Sequence, residues 1–391
     1  MTFIHAYIYT AEDNAIENGF LTIDNGIITA IGNMSQYKAS GDQTVDLGGK
    51  RIYPGFIDAH THLGMWEDGL GFEGDDGNEI GQTTSASLRA IDAINSFDRC
   101  FTEAHEAGVT TVVTGPGSAN PIGGAMAAIK TTGGCVDNLI LRFPVSMKMA
   151  LGENPKKVYS ERDETPVTRM ATAKVIRESL AKAKRYSDSV RRASESDEYD
   201  LPEFDAECEA LMPVVRGELP VHIHAHRRDD IFTGIRIAKE FGLQFVIVHA
   251  TEGHMVAEEL AARGVDVFNG PFLCDRSKPE LVNQTPKAPG ILSAAGVRLA
   301  IVTDHPVIPI QYLPLCAGLA VREGMEYDSA LRAITVNPAR LLGLDDRIGS
   351  LRPGKDADFS VFDCDPLTLA AKPLAVFIDG KAVHDVGILC S

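Results

Sequence analysis

Nowhere in the 391 residues is there an apolar run of eighteen or more, the length a bilayer-crossing helix requires, and residues 1–10 hold no basic stretch leading into a long apolar one. Neither a membrane span nor a secretory leader is expected. Basic residues are outnumbered, with 37 Lys plus Arg against 54 Asp plus Glu, for a formal net charge of −17. Nucleic acid is gripped through clustered cations, so this balance argues against it as a partner. Cysteine is sparse: Cys100, Cys135, Cys208, Cys274, Cys316, Cys364 and Cys390 are scattered, odd in number and without a C-x-x-C pair. Such a set fits small buried hydrophobes in a reducing, cytoplasmic compartment better than a disulfide framework. What remains is a globular composition, 44% hydrophobic and 23% charged, with a small molecule as the expected partner and a homo-oligomer compatible with it.

Both ends of the chain are short alternating apolar runs with turn residues between them. Asp24-Asn25-Gly26 separates two such runs and predicts a hairpin, because Asn-Gly supplies the positive φ angles of a tight turn. The same texture returns in Asp358-Phe359-Ser360-Val361-Phe362 and in residues 375–381. We therefore expect a small β-domain built from residues 1–52 and 346–391, with a larger domain, 53–345, inserted between its halves.

The insert repeats one unit: a helical pattern, a glycine, then a β-branched run. It occurs around Gly108, Gly242, Gly264 and Gly296, and glycine just past a helix is the left-handed cap. Strands with few polar residues are those covered on both faces, so the alternation predicts a parallel sheet within an α/β fold. A longer helical stripe runs through Ala173, Ile176, Leu180 and Ala183, and the Ser-, Glu- and Asp-rich residues 191–207 after it read as an exposed loop.

Polar residues gather where these strands end. Pro54-Gly55-Phe56-Ile57-Asp58-Ala59-His60-Thr61-His62 is a short buried strand closed by two histidines one residue apart, and residues i and i+2 of a strand share a face. Val221-His222-Ile223-His224-Ala225-His226 places three alternating histidines on another strand, His249 ends a third, and Asp304 ends a fourth. Taken singly, each would be a hydrogen-bonded core histidine or a helix cap. Together they offer nitrogen and oxygen donors to a divalent metal, the pattern of catalytic zinc.

These residues resemble the metal-dependent amidohydrolase superfamily, most of all its imidazolonepropionase-related and dipeptidase-like branch. The first-strand run, His224, His249, Asp304, Thr335-Val336-Asn337-Pro338-Ala339, Gly349-Ser350-Leu351 and Gly354-Lys355-Asp356-Ala357-Asp358 carry the resemblance in order along nearly the whole chain. It implies a (β/α)8 TIM barrel joined to a small β-sandwich from both termini. It also implies metal ligands His60, His62, His224, His249 and Asp304, one or two divalent ions with zinc expected, and a carboxylated lysine bridging two of them. Lys148 is the candidate bridge, with Glu153 the alternative. The implied reaction is cleavage of a C–N amide bond, cyclic or dipeptide-like, by a metal-held hydroxide, with Asp304 as general base and acid. One-metal deamination is the alternative, although the residues after His224 are Ala225, His226, Arg227 and Arg228, without the glutamate such enzymes place there. A barrel that keeps the fold without the metal is the third reading.

Softer signals surround this set. Residues 115–124, rich in glycine but without the Lys-Ser/Thr of a phosphate loop, fit a backbone passing close under the site. Trp66, the one tryptophan, reads either as a pocket wall or as packing beneath its own loop. Arg227 and Arg228 read either as a grip on a substrate carboxylate or as a solvated pair answering Asp229 and Asp230.

Overall fold

The protein, a computed structural model, is described over residues 1–39, 41 and 43–389. Six of the seven cysteines are free thiols, and Cys390 lies outside the described residues. Among the described residues no helix is long and apolar enough to cross a membrane.

Both termini enter one eight-stranded sheet. Its ordered path runs Lys381–Asp385, Ala375–Ile378, Phe359–Phe362, Arg51–Pro54, Thr2–Ile8, Ile16–Asp24, Ile27–Asn33, with Thr44–Asp46 beside Thr2–Ile8. The stitch between the two ends of the chain is the antiparallel pairing of Phe359–Phe362 with Arg51–Pro54. Phe3, Phe359 and Phe377 pack at its centre, with ring centroids 4.5 to 5.2 Å apart. The hairpin at Asn25-Gly26 forms with both residues at positive φ.

Gly55 carries the chain from this sheet straight into the barrel. A Cβ there would come within 2.1 Å of Thr110 Oγ1, so only glycine permits the crossing. The barrel sheet has eight strands in sequence order: Phe56–Thr61, Val109–Thr114, Ile122–Lys130, Ile140–Ala150, Val221–Ala225, Phe245–His249, Asp266–Asn269 and Leu299–Ile301. Four of them follow helices that stop at a left-handed glycine, Gly108, Gly242, Gly264 and Gly296, as the repeated unit predicts.

The barrel departs from a regular (β/α)8 at its third strand. Ile122–Lys130 runs antiparallel to both neighbours. A parallel return needs a crossover of a dozen or more residues, and the short loop 115–121 has no room for a helix. The excursion after the fourth strand also differs from expectation. The helix Arg169–Glu195 extends past residue 191, and a second helix begins at Ala206, so the loop between them is shorter than predicted.

No regular ladder joins the last strand to the first, but His62 N to His305 O at 2.8 Å and Asp304 N to His60 O at 3.2 Å cross the seam. Asp58, fully buried, reinforces it: its carboxylate accepts from Thr303 N at 3.0 Å, Thr303 Oγ1 at 2.6 Å and His60 N at 3.2 Å. Burial pushes its carboxyl up to about 7 against those hydrogen bonds. The fixed seam holds the ends of the first and last strands together, where His60, His62 and Asp304 lie.

Lys130 ties the barrel to the terminal sheet. Its buried ammonium contacts Asp358, Asp356 at 2.9 Å and the half-exposed Asp379 at 3.2 Å. Lys130→Met would leave the buried Asp358 without its cation, while Asp356 keeps Arg347 at 2.8 Å, and breaking such a buried pair costs about 3–5 kcal/mol. A clear fall in Tm is expected, and a Tm within a degree of wild type would show that the network contributes little.

Candidate metal centre and active-site cavity

Two groups of donors meet at the strand ends. The first is His60, His62 and Asp304; the second is His224, His226 and His249. Asp304 Oδ1 lies 3.5 Å from His60 Nε2 and 3.3 Å from His62 Nε2. His62 Nδ1 sits 2.7 Å from Gly115 O, and a carbonyl only accepts, so this nitrogen carries the proton. In the neutral ring Nε2 is then a lone pair aimed at a carboxylate oxygen. Two acceptors facing each other repel, unless a cation lies between them.

The second group follows the same logic. His249 Nδ1 donates to Gly270 O at 2.7 Å, which leaves its Nε2 free. His224 Nδ1 meets Ser118 Oγ at 2.8 Å, and His226 Nδ1 meets Thr251 Oγ1 at 2.7 Å. His224 Nε2 is buried without any partner, as is His60 Nδ1. Such outer partners fix ring orientation and tautomer at metal sites. Donors about 2.0–2.2 Å from a tetrahedral ion lie about 3.3–3.6 Å from one another, which matches the first group. The residues present fit a divalent metal.

Electrostatics point the same way. Burial, then the neighbouring Lys148 or histidines, holds His60, His224 and His226 well below the usual imidazole value. His249 falls to about 4, mainly by burial. All four are neutral near pH 7, the state that binds metal. Burial raises the Asp304 carboxyl, but His249 and His62 more than offset it, so it stays below the carboxylate range and is ionised. Three residues here, His249, Ala250 and Asp304, hold φ of 73°, 45° and 57°, which costs a non-glycine residue of order 1–3 kcal/mol. Ala250 N to Ala225 O and Asp304 N to His60 O keep them there.

Lys148 is fully buried on the fourth strand, with Nζ 3.1 Å from His60 Nε2. Burial lowers its ammonium to about 7, with Asp304 opposing. Its partner across the antiparallel strand is Gly124, and a Cβ on neighbouring Gly123 would already touch the Lys148 stem at 3.4 Å. Glu153, the alternative bridge, is engaged elsewhere: its carboxylate accepts from Glu280 N at 3.3 Å. His222, one layer below His224, packs edge-on to Phe268.

Above the two groups opens a cavity of about 660 Å³. His62, His224, His226 and Asp304 reach its floor, and Trp66 stands on its wall, edge-on to His62 at 4.6 Å. The 115–124 loop runs under Trp66 so closely that a Cβ on Gly117 would come within 2.7 Å of the indole. Neither Arg227 nor Arg228 lines the cavity. Arg227 pairs with Asp229 at 2.8 Å on the surface, and Arg228 is exposed with its backbone N–H on Glu252, so the solvated reading describes them. Arg227→Met is expected to leave kcat/KM within about twofold of wild type, equally for substrates with and without a carboxylate. A selective loss on the carboxylate substrate would return Arg227 to the site.

Sequence reasoning did not assign His226 or Glu280. His226 was legible as the third member of an alternating histidine run. Glu280 was not, because it sits in a short turn, Pro279–Leu281, that carries no periodic signal.

Known proteins resemble this chain in sequence and in fold. The model of the amidohydrolase family matches residues 51–383. The chain is 33% identical to the amidohydrolase tasK of Hapsidospora irregularis over 95% of its own length, and it spans 40% of that longer protein. It is 28% identical to the imidazolonepropionase of Maricaulis maris, covering 89% of this chain and 88% of the other. The crystal structure of an amidohydrolase from Thermotoga maritima superposes with a TM-score of 0.94 at 39% identity, over 98% of this chain and 99% of that one.

Proposed function

The chain belongs to the amidohydrolase family, hydrolases acting on carbon–nitrogen bonds, and from that premise we propose that it cleaves an amide, cyclic or dipeptide-like, at a divalent metal centre with zinc as the expected ion. The observation that carries this reading is the facing pair His62 Nε2 and Asp304 Oδ1, 3.3 Å apart on the floor of the cavity. His60, His62 and Asp304 would hold one ion, His224 and His249 a second, and Lys148, carboxylated at Nζ, would bridge them. When bound, such ions polarise a carbonyl and make water more acidic.

The chain's own groups do the rest. Asp304, ionised and 14% exposed to the cavity, takes the proton of the attacking water and passes it to the departing nitrogen. Trp66 and the glycine-rich loop exclude bulk solvent from one side. A cavity of about 660 Å³ suits a small molecule of dipeptide size. Residues 53–345 form the catalytic unit in this reading, with 1–52 and 346–391 as the smaller domain. Cytoplasmic residence fits the six free thiols.

The test is a screen of the metal-loaded enzyme against N-acyl amino acids, dipeptides and lactams. Turnover of at least one, abolished by chelator and restored by metal, is expected. No amide turnover, with ammonia released from amino-substituted heterocycles, would replace this reading by deamination.

A further inference from the structure

The Glu280 carboxylate is only 1% exposed, yet no step above uses it. Burying a carboxylate is costly unless it is compensated. Two partners are in hand: Lys278 Nζ lies 2.8 Å from Oε1, and Glu153 N donates to Oε2 at 3.1 Å. Room for it is kept by Gly152, at φ +86°, where a Cβ would come within 2.9 Å of Oε2.

These partners leave Oε1 turned toward two imidazoles. It lies 3.5 Å from His226 Nε2 and 3.8 Å from His224 Nε2. Both distances exceed those of N–H···O bonds, so no hydrogen bond accounts for the approach. They sit close to the spacing of about 3.3–3.6 Å between donors around one tetrahedral ion. The His226 ring stacks on His249 at 4.5 Å and 9°, and the ligand atoms of the three histidines lie within 4.8 Å of one another. His224 Nε2 is buried without a partner, and His249 Nε2 must be a lone pair because its Nδ1 faces a carbonyl.

We infer that Glu280 and His226 belong to the second metal position, where His224, His226, His249 and Glu280 form a three-nitrogen, one-oxygen set able to hold a divalent cation without the Lys148 bridge. The resemblance assigned only His224 and His249 there. The inference rests on the metal centre and not on the identity of the substrate. In it Lys278, 28% exposed at the cavity, is the charge that neutralises Glu280 and competes with the ion for Oε1.

The experiment measures zinc content and chelator-competition affinity of the purified holoenzyme, with the melting temperature of the chelated protein as a control for folding. Glu280→Gln and His226→Gln should keep the ion of the first group and weaken the second by roughly tenfold or more. Either variant suffices if the other does not fold. Lys278→Met should hold the second ion at least as tightly as wild type, because a competing ammonium is gone. Unchanged stoichiometry and affinity in Glu280→Gln would overturn the inference and leave the metal centre intact. Equal loss of zinc in Lys278→Met would also overturn it, by showing that the Lys278–Glu280 pair is only scaffold. Wild-type protein that takes up no zinc would overturn both this inference and the metal-centre reading.

Discussion

Asp304→Asn is expected to lower kcat by about 10² or more while leaving bound metal largely in place. Asparagine keeps the shape of the side chain and a carbonyl oxygen toward His60 and His62, now 3.5 and 3.3 Å away. It removes the one group in the first donor set that can accept a proton from water and return it to nitrogen. The ionised state matters here: burial raises the Asp304 carboxyl, His249 and His62 bring it down past its ordinary value, and the result is a base present throughout the neutral range. An amide in its place cannot titrate at all. The backbone should tolerate the change, since Asn accepts the left-handed conformation that Asp304 holds at φ 57°. Metal analysis and steady-state kinetics on the same preparation decide the matter. Full turnover with full metal would place the general base elsewhere.

Lys148→Ala is expected to lose at least one metal ion and most activity, with partial rescue by acetate or propionate. A free lysine is protonated near neutrality, with an ordinary pKa of about 10.4, and makes a poor bridge. Burial, opposed by Asp304, brings Lys148 down to about 7, so a sizeable fraction of its amine is neutral and reactive. The neutral amine adds to CO₂, forming an N–C bond and releasing a proton, and the product is an anion with two oxygens. Lys148 Nζ is already aimed at the first group, 3.1 Å from His60 Nε2. Alanine vacates a space that a short carboxylic acid can enter and offer the same two oxygens. Mass spectrometry of the gently handled wild-type protein should show the added CO₂. Unaltered metal content in the alanine variant, or rescue by amines in place of acids, would remove the bridge from the mechanism.

The sequence by itself determined the repeated helix–glycine–strand units and the strand ends that carry polar side chains. The Gly108, Gly242, Gly264 and Gly296 units were legible because a left-handed cap and a buried strand each leave a local chemical signature. The His60, His62, His224 and Asp304 positions were legible for the same reason, since a two-residue period puts alternating side chains on one face. Only the tertiary structure decided what meets across loops. The antiparallel turn of Ile122–Lys130 follows from the length of one loop, and the seam at Asp58 follows from barrel closure, which no window of sequence contains. Glu280 reaches the second histidine group from a turn between the last two barrel strands, and Arg227 turns from it to the neighbouring Asp229. Hydrogen-bond geometry at carbonyls then fixed which ring nitrogens face the centre, and that depends on contacts such as Gly115 O and Gly270 O that are brought to His62 and His249 by the fold alone.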